Sequence, residues 1–166
     1  MNRKIVFKSS LFVTMLGFVL LFSACKEERK IIGKWEYKKA AIKELSTTNL
    51  RMESIIRTAF PTMFPTVMPY IVGNDFNGIT EFTKKGKIIY HGTNGGKTAT
   101  YKINDTKLTI TSDDGKSVTY DYSFPDKKTM YWDINVIEIY GEMLAVYLQS
   151  AGIEMTKFVV RLTFEK

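Results

Sequence analysis

From residue 79 onward, apolar and polar residues alternate in short runs that are separated by loops of Gly, Asn, Asp and Lys. In the clearest run, 117–124, every second side chain is apolar, and 129–134 repeats the pattern. A period of two places one face of a strand on a core and the other in water. The pattern predicts strands over six stretches: 79–83, 87–93, 98–103, 107–112, 117–124 and 129–134.

Two more strands and two helical segments flank this meander. A first strand begins at Gly33-Lys34-Trp35-Glu36-Tyr37, and 158–165 alternate in a last one. Between the first strand and the meander, 43–60 carry apolar residues at helical spacing, and 136–151 carry a second such stripe. The prediction is eight strands, with a helical insertion after the first and a helix before the last.

Prolines recur every four residues from Pro61 to Pro69. Because proline inside a helix costs about 3 kcal/mol, 61–72 are predicted to be a broken helix or an extended apolar loop. Thr48 or Asn49 is the candidate N-cap of the helix before them. The insertion as a whole is taken as 43–78, because it ends in a turn rich in Gly and Asn.

The amino end carries the longest apolar run of the chain. Basic residues stand near its start, 11–22 are mainly apolar, and Ser23-Ala24 supplies small residues. This layout predicts that 1–24 are a secretory signal peptide. The run is shorter than the roughly 20 residues of a spanning helix, although an uncleaved signal anchor is the alternative. Cys25, the only cysteine, follows directly.

Ser23-Ala24-Cys25 resembles the lipobox of bacterial lipoproteins, with Phe22 where that family usually has Leu. The resemblance implies that Cys25 is acylated, becomes the mature amino terminus and attaches the chain to a membrane of the cell envelope. Lys26-Glu27-Glu28 is similar to a signal that sends Bacteroidetes lipoproteins to the outside of the outer membrane. A solvated charged linker is the alternative. In both cases 25–31 are predicted to be a tether.

The leader contributes three of the chain's seven net positive charges. The formal net charge falls from +7 to +4 once Arg3, Lys4 and Lys8 leave with the signal peptide. Many of the remaining lysines lie in predicted turns rather than on one helix face, which argues against nucleic-acid binding. With Cys25 acylated, no thiol is left for a disulfide, a metal or a nucleophile. The rest, 32–166, is predicted to be one domain.

No motif of the chain indicates a reaction. The stretch from Gly92 to Thr98 lacks the spacing of a phosphate loop and leads into a strand. His91 is the only histidine, which leaves a zinc site or a serine triad without its other members. Asp113-Asp114-Gly115 and Asp75-Phe76-Asn77-Gly78 lack the register of a calcium loop. We therefore predict no catalytic residue, no metal and no cofactor.

Gly33 and Trp35 open the first strand of a meander, as the Gly-x-Trp motif does in lipocalins and fatty-acid-binding proteins. With the hairpin sequence Phe82-Thr83-Lys84-Lys85-Gly86-Lys87, the mature chain resembles the lipocalin-like lipoproteins of Bacteroidetes, most of which have no assigned function. The resemblance implies a mainly β fold, an eight-stranded antiparallel up-and-down barrel around a ligand cavity. It also implies a basic residue that packs over Trp35, for which Arg161 is the candidate.

Large aromatic residues are the candidate ligand site of such a barrel. Five of them are predicted to face its interior: Tyr90, Tyr101, Tyr120, Tyr122 and Trp132. They suit a small apolar or amphipathic ligand, and a filled core is the alternative. The apolar part of the insertion is a candidate lid or portal, with a plug as the alternative; its large side chains are Phe60, Met63, Phe64 and Met68.

Two functions follow from this reading. The first is a non-enzymatic lipoprotein of the outer membrane that binds a small apolar or amphipathic ligand in its barrel. The second is a structural or interaction subunit of a cell-envelope complex, with a filled core, that presents 60–72 or a sheet face to a protein or glycan partner. A connected void lined by the tyrosines would favour the first, and ordinary packing density the second.

Overall fold

The computed structural model describes residues 29–72, 78–92, 96–141 and 153–166, with the backbone alone described for 67–72. Within them, eight antiparallel strands form one closed barrel in which each strand pairs with the next and β8 pairs with β1. This confirms the predicted fold class. The strands are β1 Gly33–Thr47, β2 Ile79–Phe82, β3 Lys87–His91, β4 Lys97–Asn104, β5 Lys107–Ser112, β6 Ser117–Ser123, β7 Thr129–Asn135 and β8 Met155–Glu165.

The alternation of apolar residues fixes which side chains lie inside the barrel. On β6, Tyr120 and Tyr122 are buried while their neighbours are exposed or half-buried. On β8, Leu162 and Phe164 lie inside and Arg161 lies outside. Closure pairs both edges of the sheet, so that no strand edge is left open in it.

β1 is longer than predicted, and the predicted helix start at residue 43 is wrong. The second half of β1 pairs with β8 as far as Thr47 and Met155, and Leu45 is a buried strand residue. The register shifts between Tyr37 and Lys39, and again further along the strand. These bulges break the period of two, which explains why the sequence shows no strand pattern there.

Helix α1, Leu50–Val72, continues through all three prolines, so the predicted break is also wrong. Asn49 is its N-cap, since its Oδ1 accepts a hydrogen bond from the Met52 N–H at 3.1 Å. Each proline lacks the backbone N–H that would bond to the carbonyl four residues earlier. Because the prolines are four residues apart, the carbonyls left without this bond lie on one side of the helix. Pro61 and Pro65 are exposed, and water can satisfy the carbonyls on that side.

A further helix begins at residue 136 and is described as far as 141, which confirms the helix before the last strand. The signal peptide and Cys25 lie outside the described residues. The last part of the predicted tether, 29–31, is helical, and Ile31 is fully buried, so barrel packing begins before residue 32. None of the helices in the described ranges combines the length and apolarity that a membrane crossing requires.

A charge network on the outer wall joins the strands where the barrel closes. Asp133 on β7 accepts two hydrogen bonds from Arg161 on β8, at 2.7 and 2.8 Å. Its Oδ2 also accepts one from Lys43 on β1, at 2.7 Å. Burial acts to raise the pKa of Asp133, but the hydrogen bonds and charges of Arg161 and Lys43 outweigh it and hold the pKa below its ordinary value.

Replacing Asp133 by Asn removes the negative charge that Arg161 and Lys43 share. We expect Asp133→Asn to lower the free energy of unfolding by about 2 kcal/mol near neutral pH, as measured by urea denaturation. Asp121→Asn is the matched control, because Asp121 lies opposite Asp133 on β6 and its ion pair with Lys107 is half exposed. This control is expected to have little effect, because solvent screens an exposed ion pair.

The same pair of proteins tests the pKa of Asp133. A lowered folded-state pKa gives stability that is fully present above the ordinary carboxyl value of about 3.9 and is lost as the pH falls through the folded value. The difference in the free energy of unfolding between the wild type and Asp133→Asn should therefore be constant from about pH 5 to 7 and shrink below about pH 4. A difference that persists unchanged in strong acid would show that the carboxylate does not carry it.

Candidate functional site

The meander gives the barrel two different ends. At one end lie the short turns 83–86, 105–106 and 124–128, with the first residue of β1 and the chain terminus Lys166. At the other end lie α1 and the helix that begins at residue 136. We call these the turn end and the helix end.

An aromatic cluster fills the barrel next to the turn end. Trp132, fully buried, lies at its centre, with its ring centroid 4.5 Å from that of Phe164 and 5.9 Å from that of Phe82. The ring of Tyr120 stacks on Trp132 at 5.7 Å and 15°. These contacts give Trp132, a predicted ligand-binding residue, a packing role in the core.

Two of the predicted ligand-binding tyrosines hold turns in place. The hydroxyl of Tyr101 donates to the carbonyl of Thr83 at 2.9 Å, in the β2–β3 turn. The hydroxyl of Tyr122 donates to the carbonyl of Asp105 at 3.2 Å, in the β4–β5 turn. Both hydroxyls fasten the backbone of the turn end, and Trp132 packs among other aromatic rings. We therefore leave Tyr101, Tyr122 and Trp132 out of the candidate site.

Trp35 closes the turn end, and the cation over it is Lys166 rather than Arg161. The Trp35 indole N–H donates to the Ile31 carbonyl at 2.6 Å, and Lys166 Nζ lies 4.4 Å from the ring centroid. The assignment of Arg161 is wrong because Arg161 points to the outer wall, where it lies 4.4 Å over the Tyr131 ring.

Gly33 makes room for this arrangement, as its predicted structural role requires. Its φ is +127°, a region that residues with a Cβ rarely adopt. A Cβ at this position would also lie 3.2 Å from Cε of Lys166. The Gly-x-Trp motif therefore supplies both the ring and the space for the cation over it.

Three phenols lie near one another toward the helix end, and a buried threonine lies beside one of them; we call these four side chains the polar patch. Burial raises the pKa of Tyr120 far above its ordinary value, and the nearby phenols of Tyr90 and Tyr140 add to the rise. Thr80 lies directly opposite Tyr90 in the β2–β3 register. The four side chains come from three strands and from the helix that begins at residue 136.

The hydroxyl of Thr80 is the exceptional member of this patch. Thr80 is fully buried, and its Oγ1 has no hydrogen-bond partner among the residues that the structure describes. Its other cross-strand neighbour is Trp35, whose indole N–H is engaged with Ile31. Native structures leave few buried polar atoms unsatisfied, so this hydroxyl is a position where a water molecule, an ion or a ligand atom can bind.

Two phenylalanines of α1 cover the helix end. Phe60 and Phe64 are buried with ring centroids 4.8 Å apart, and Phe60 meets Phe158 of β8 edge-on at 6.3 Å. Both lie where a lid or a plug would have to lie, and their role stays a prediction. Met63 does not lie there, because 58% of it is exposed and it faces solvent. The side chain of Met68 lies outside the described residues.

Three residues of these two ends were absent from the predicted sites, although the sequence contains a signal for each. Thr80 occupies an inward position two residues before Phe82, where a polar residue is unusual. Tyr140 belongs to the amphipathic stripe of 136–151. Lys166 comes two residues after the inward-facing Phe164. The alternation of the strand therefore points the Lys166 side chain toward the barrel axis rather than the outer wall.

No protein-family model, curated protein or solved structure matches this chain. The barrel topology shows the fold class, and the candidate sites are inferred from geometry.

Lys166 offers a test of the turn end. Lys166→Met removes the cation over Trp35 and two hydrogen bonds, to the carbonyls of Lys30 and Ile32 at 3.0 and 2.9 Å. We expect a loss of about 1 to 2 kcal/mol in the free energy of unfolding, measured by urea denaturation. Lys128→Met, an exposed lysine of the β6–β7 turn, is the control and should have little effect. Equal losses in both variants would contradict a specific role for Lys166.

Proposed function

We propose that this chain is a lipocalin-like lipoprotein that is anchored through Cys25 and binds a small amphipathic molecule inside the helix end of its barrel, without catalysing a reaction. The observation that carries this proposal is the buried hydroxyl of Thr80, which faces the barrel interior without a partner among the described residues. An unsatisfied buried hydroxyl costs about 1–3 kcal/mol. A ligand atom that bonds to it would offset this cost.

The polar patch defines the ligand's polar group. Because the pKa of Tyr120 is raised, its phenol stays protonated at physiological pH and can donate a hydrogen bond. The Thr80 hydroxyl can donate as well. Donors favour a ligand with an acceptor such as a carbonyl, an ether or a carboxylate. Apolar side chains of the core surround them, which suits an apolar body attached to that acceptor.

Helix α1 would act as the lid of this site. Phe60 and Phe64 cover the helix end from above, and Arg57 donates to the carbonyl of Leu45 at 3.3 Å. A ligand that enters at this end has to displace these two rings. The helix is joined to β1 by the short turn at Thr48 and Asn49, which would serve as the hinge.

Anchoring through Cys25 would orient the barrel on the membrane. Ile31 packs at the turn end, and Cys25 lies only four residues before Arg29, a reach of about 14 Å at most. The turn end would then face the lipid, and the helix end with its lid would face the aqueous phase. The predicted location is the outer membrane of the cell envelope, with display on the cell surface if Lys26-Glu27-Glu28 acts as an export signal.

One observation favours the second candidate function, a subunit that binds an envelope protein or glycan. Helix α1 exposes large apolar side chains to solvent, with 82% of Leu50, 50% of Ile55 and 58% of Met63 exposed. A partner could cover them while the barrel core stays filled. The two functions differ in whether a small molecule accompanies the purified protein.

Thr80→Val tests the ligand site, because valine has the shape of threonine without its hydroxyl. The chain is purified from its own host and weighed by native mass spectrometry. We expect the wild type to carry a small non-covalent mass that disappears on denaturation, and Thr80→Val to lose up to about nine-tenths of it, since one lost hydrogen bond is worth up to about 1.5 kcal/mol. Thr100→Val, exposed on β4, is the control and should keep it.

The opposite result is equally definite. If the Thr80 hydroxyl has no ligand, valine removes an unsatisfied buried group, and the free energy of unfolding should rise by about 1–3 kcal/mol without any change in the bound mass. A wild type without a bound small molecule, recovered with a stable protein partner, would favour the interaction subunit.

Cys25→Ala tests the anchor. We expect the wild type to float with membranes in a density gradient and the variant to appear in the soluble fraction with unchanged circular dichroism, because acyl chains hold a protein by about 0.8 kcal/mol per buried methylene. A variant that stays with the membrane would contradict the lipoprotein assignment.

A further inference from the structure

A basic pocket of about 530 Å³ opens at the turn end, outside the barrel interior. Its walls come from the segment before β1, the β6–β7 turn and the chain terminus. They are Arg29, Lys30, Phe124, Asp126, Lys127 and Lys166. Segments far apart in sequence thus bring four cationic side chains together around one acidic side chain.

The single carboxylate does not neutralise these cations. Asp126 accepts hydrogen bonds from the backbone N–H groups of Lys128 and Thr129, at 2.7 and 2.8 Å, and from the Thr129 hydroxyl at 3.0 Å. These bonds, first that from Lys128, lower the pKa of Asp126. Its carboxylate oxygens are therefore occupied by hydrogen bonds within its own turn, and its one negative charge is outnumbered by the four cations.

Two of the cations are available to a bound anion. Arg29 and Lys127 are exposed, and neither forms an ion pair with another residue in the described parts of the chain. Arginine can bind two phosphate oxygens at once through its planar guanidinium group. Lys127, which lines the same pocket from the β6–β7 turn, adds a second cation.

The inner wall of the pocket is fixed in position and partly apolar. Lys166 Nζ is held by the carbonyls of Lys30 and Ile32 over the ring of Trp35. The Phe124 ring packs against Trp35 at 5.6 Å, and Lys30 Nζ lies 5.9 Å from its centroid. The pocket combines fixed positive charge with an aromatic surface for the carbon atoms next to an anionic group.

We propose that this pocket binds the phosphate group of an anionic membrane lipid. The assignment rests on the proposed anchoring through Cys25, which would hold Arg29 within about 14 Å of the lipid surface. This upper limit is just under two Debye lengths of about 8 Å at physiological salt, and anionic headgroups attract the four cations more strongly as the pocket comes closer to the lipid. The bound phosphate would fix the orientation of the barrel that the acyl anchor alone leaves free.

The test measures how fast lysines react with an amine-specific label, read by peptide mass spectrometry. The full-length chain, purified in mild detergent, is reconstituted into vesicles of phosphatidylcholine alone or mixed with phosphatidylglycerol. We expect phosphatidylglycerol to slow the labelling of Lys127 about fivefold, the effect of about 1 kcal/mol per basic contact. Lys85, exposed in the β2–β3 turn at the same end but outside the pocket, is the internal control and should slow far less.

A pair of charge-matched variants refines the comparison. Arg29→Gln should abolish most of the protection of Lys127, whereas Lys85→Gln should leave it intact. Millimolar inorganic phosphate, added to phosphatidylcholine vesicles, should not reproduce the effect. Protection by free phosphate alone would assign the pocket to a soluble anion and overturn the lipid assignment, and equal slowing of Lys127 and Lys85 would overturn the pocket itself.

Flotation of the same vesicles separates this proposal from the anchor. A chain that floats with both vesicle types but shows no protection of Lys127 keeps its anchor and lacks the headgroup site. A chain that floats only with phosphatidylglycerol, with Lys127 protected, has the headgroup site without the proposed anchor. A chain that floats with neither vesicle type contradicts both the anchor and the headgroup site.

Discussion

The structure depends on β1, which pairs with a neighbour on each side. Its first residues pair with β2 and the remainder with β8, so that this one strand converts a meander into a closed barrel. Closure satisfies the backbone groups that an open sheet would leave at its edges. The charge network of Asp133, Arg161 and Lys43 lies across the same junction, and its position explains why a buried carboxylate is tolerated on the outer wall.

Closure also divides the interior into two parts with different chemistry. Near the turn end, aromatic rings around Trp132 pack against one another, and the hydroxyls of Tyr101 and Tyr122 are used by the turns. Toward the helix end, hydroxyl groups lie among apolar side chains, and that of Thr80 is unsatisfied within the described structure. The sequence offered a filled core and a ligand site as alternatives, and the proposed function assigns them to neighbouring regions of one barrel.

The sequence predicted the parts of the fold that depend on a local period. Strands β2 to β8 follow from alternation, and Asn49 follows from capping chemistry. Prediction failed where the surroundings of a segment override its local pattern. β1 continues past residue 43 because β8 is beside it. Helix α1 tolerates Pro61 because this proline lies on its exposed side, where water can satisfy the freed carbonyl. The candidate site was predicted only as a set of inward aromatic residues, since hydrogen-bond partners across the barrel cannot be read from spacing.

Lys166 connects the proposed phosphate site to the stability of the fold. Its ammonium group covers Trp35, bonds to two carbonyls of the segment before β1 and also lines the basic pocket. Partial burial lowers the pKa of Lys166, and an anion close to its ammonium group would favour the charged form. A phosphate in the pocket would therefore favour the conformation that closes the turn end. An anchored barrel held in this way leaves its helix end free, and a ligand would have to enter by displacing α1.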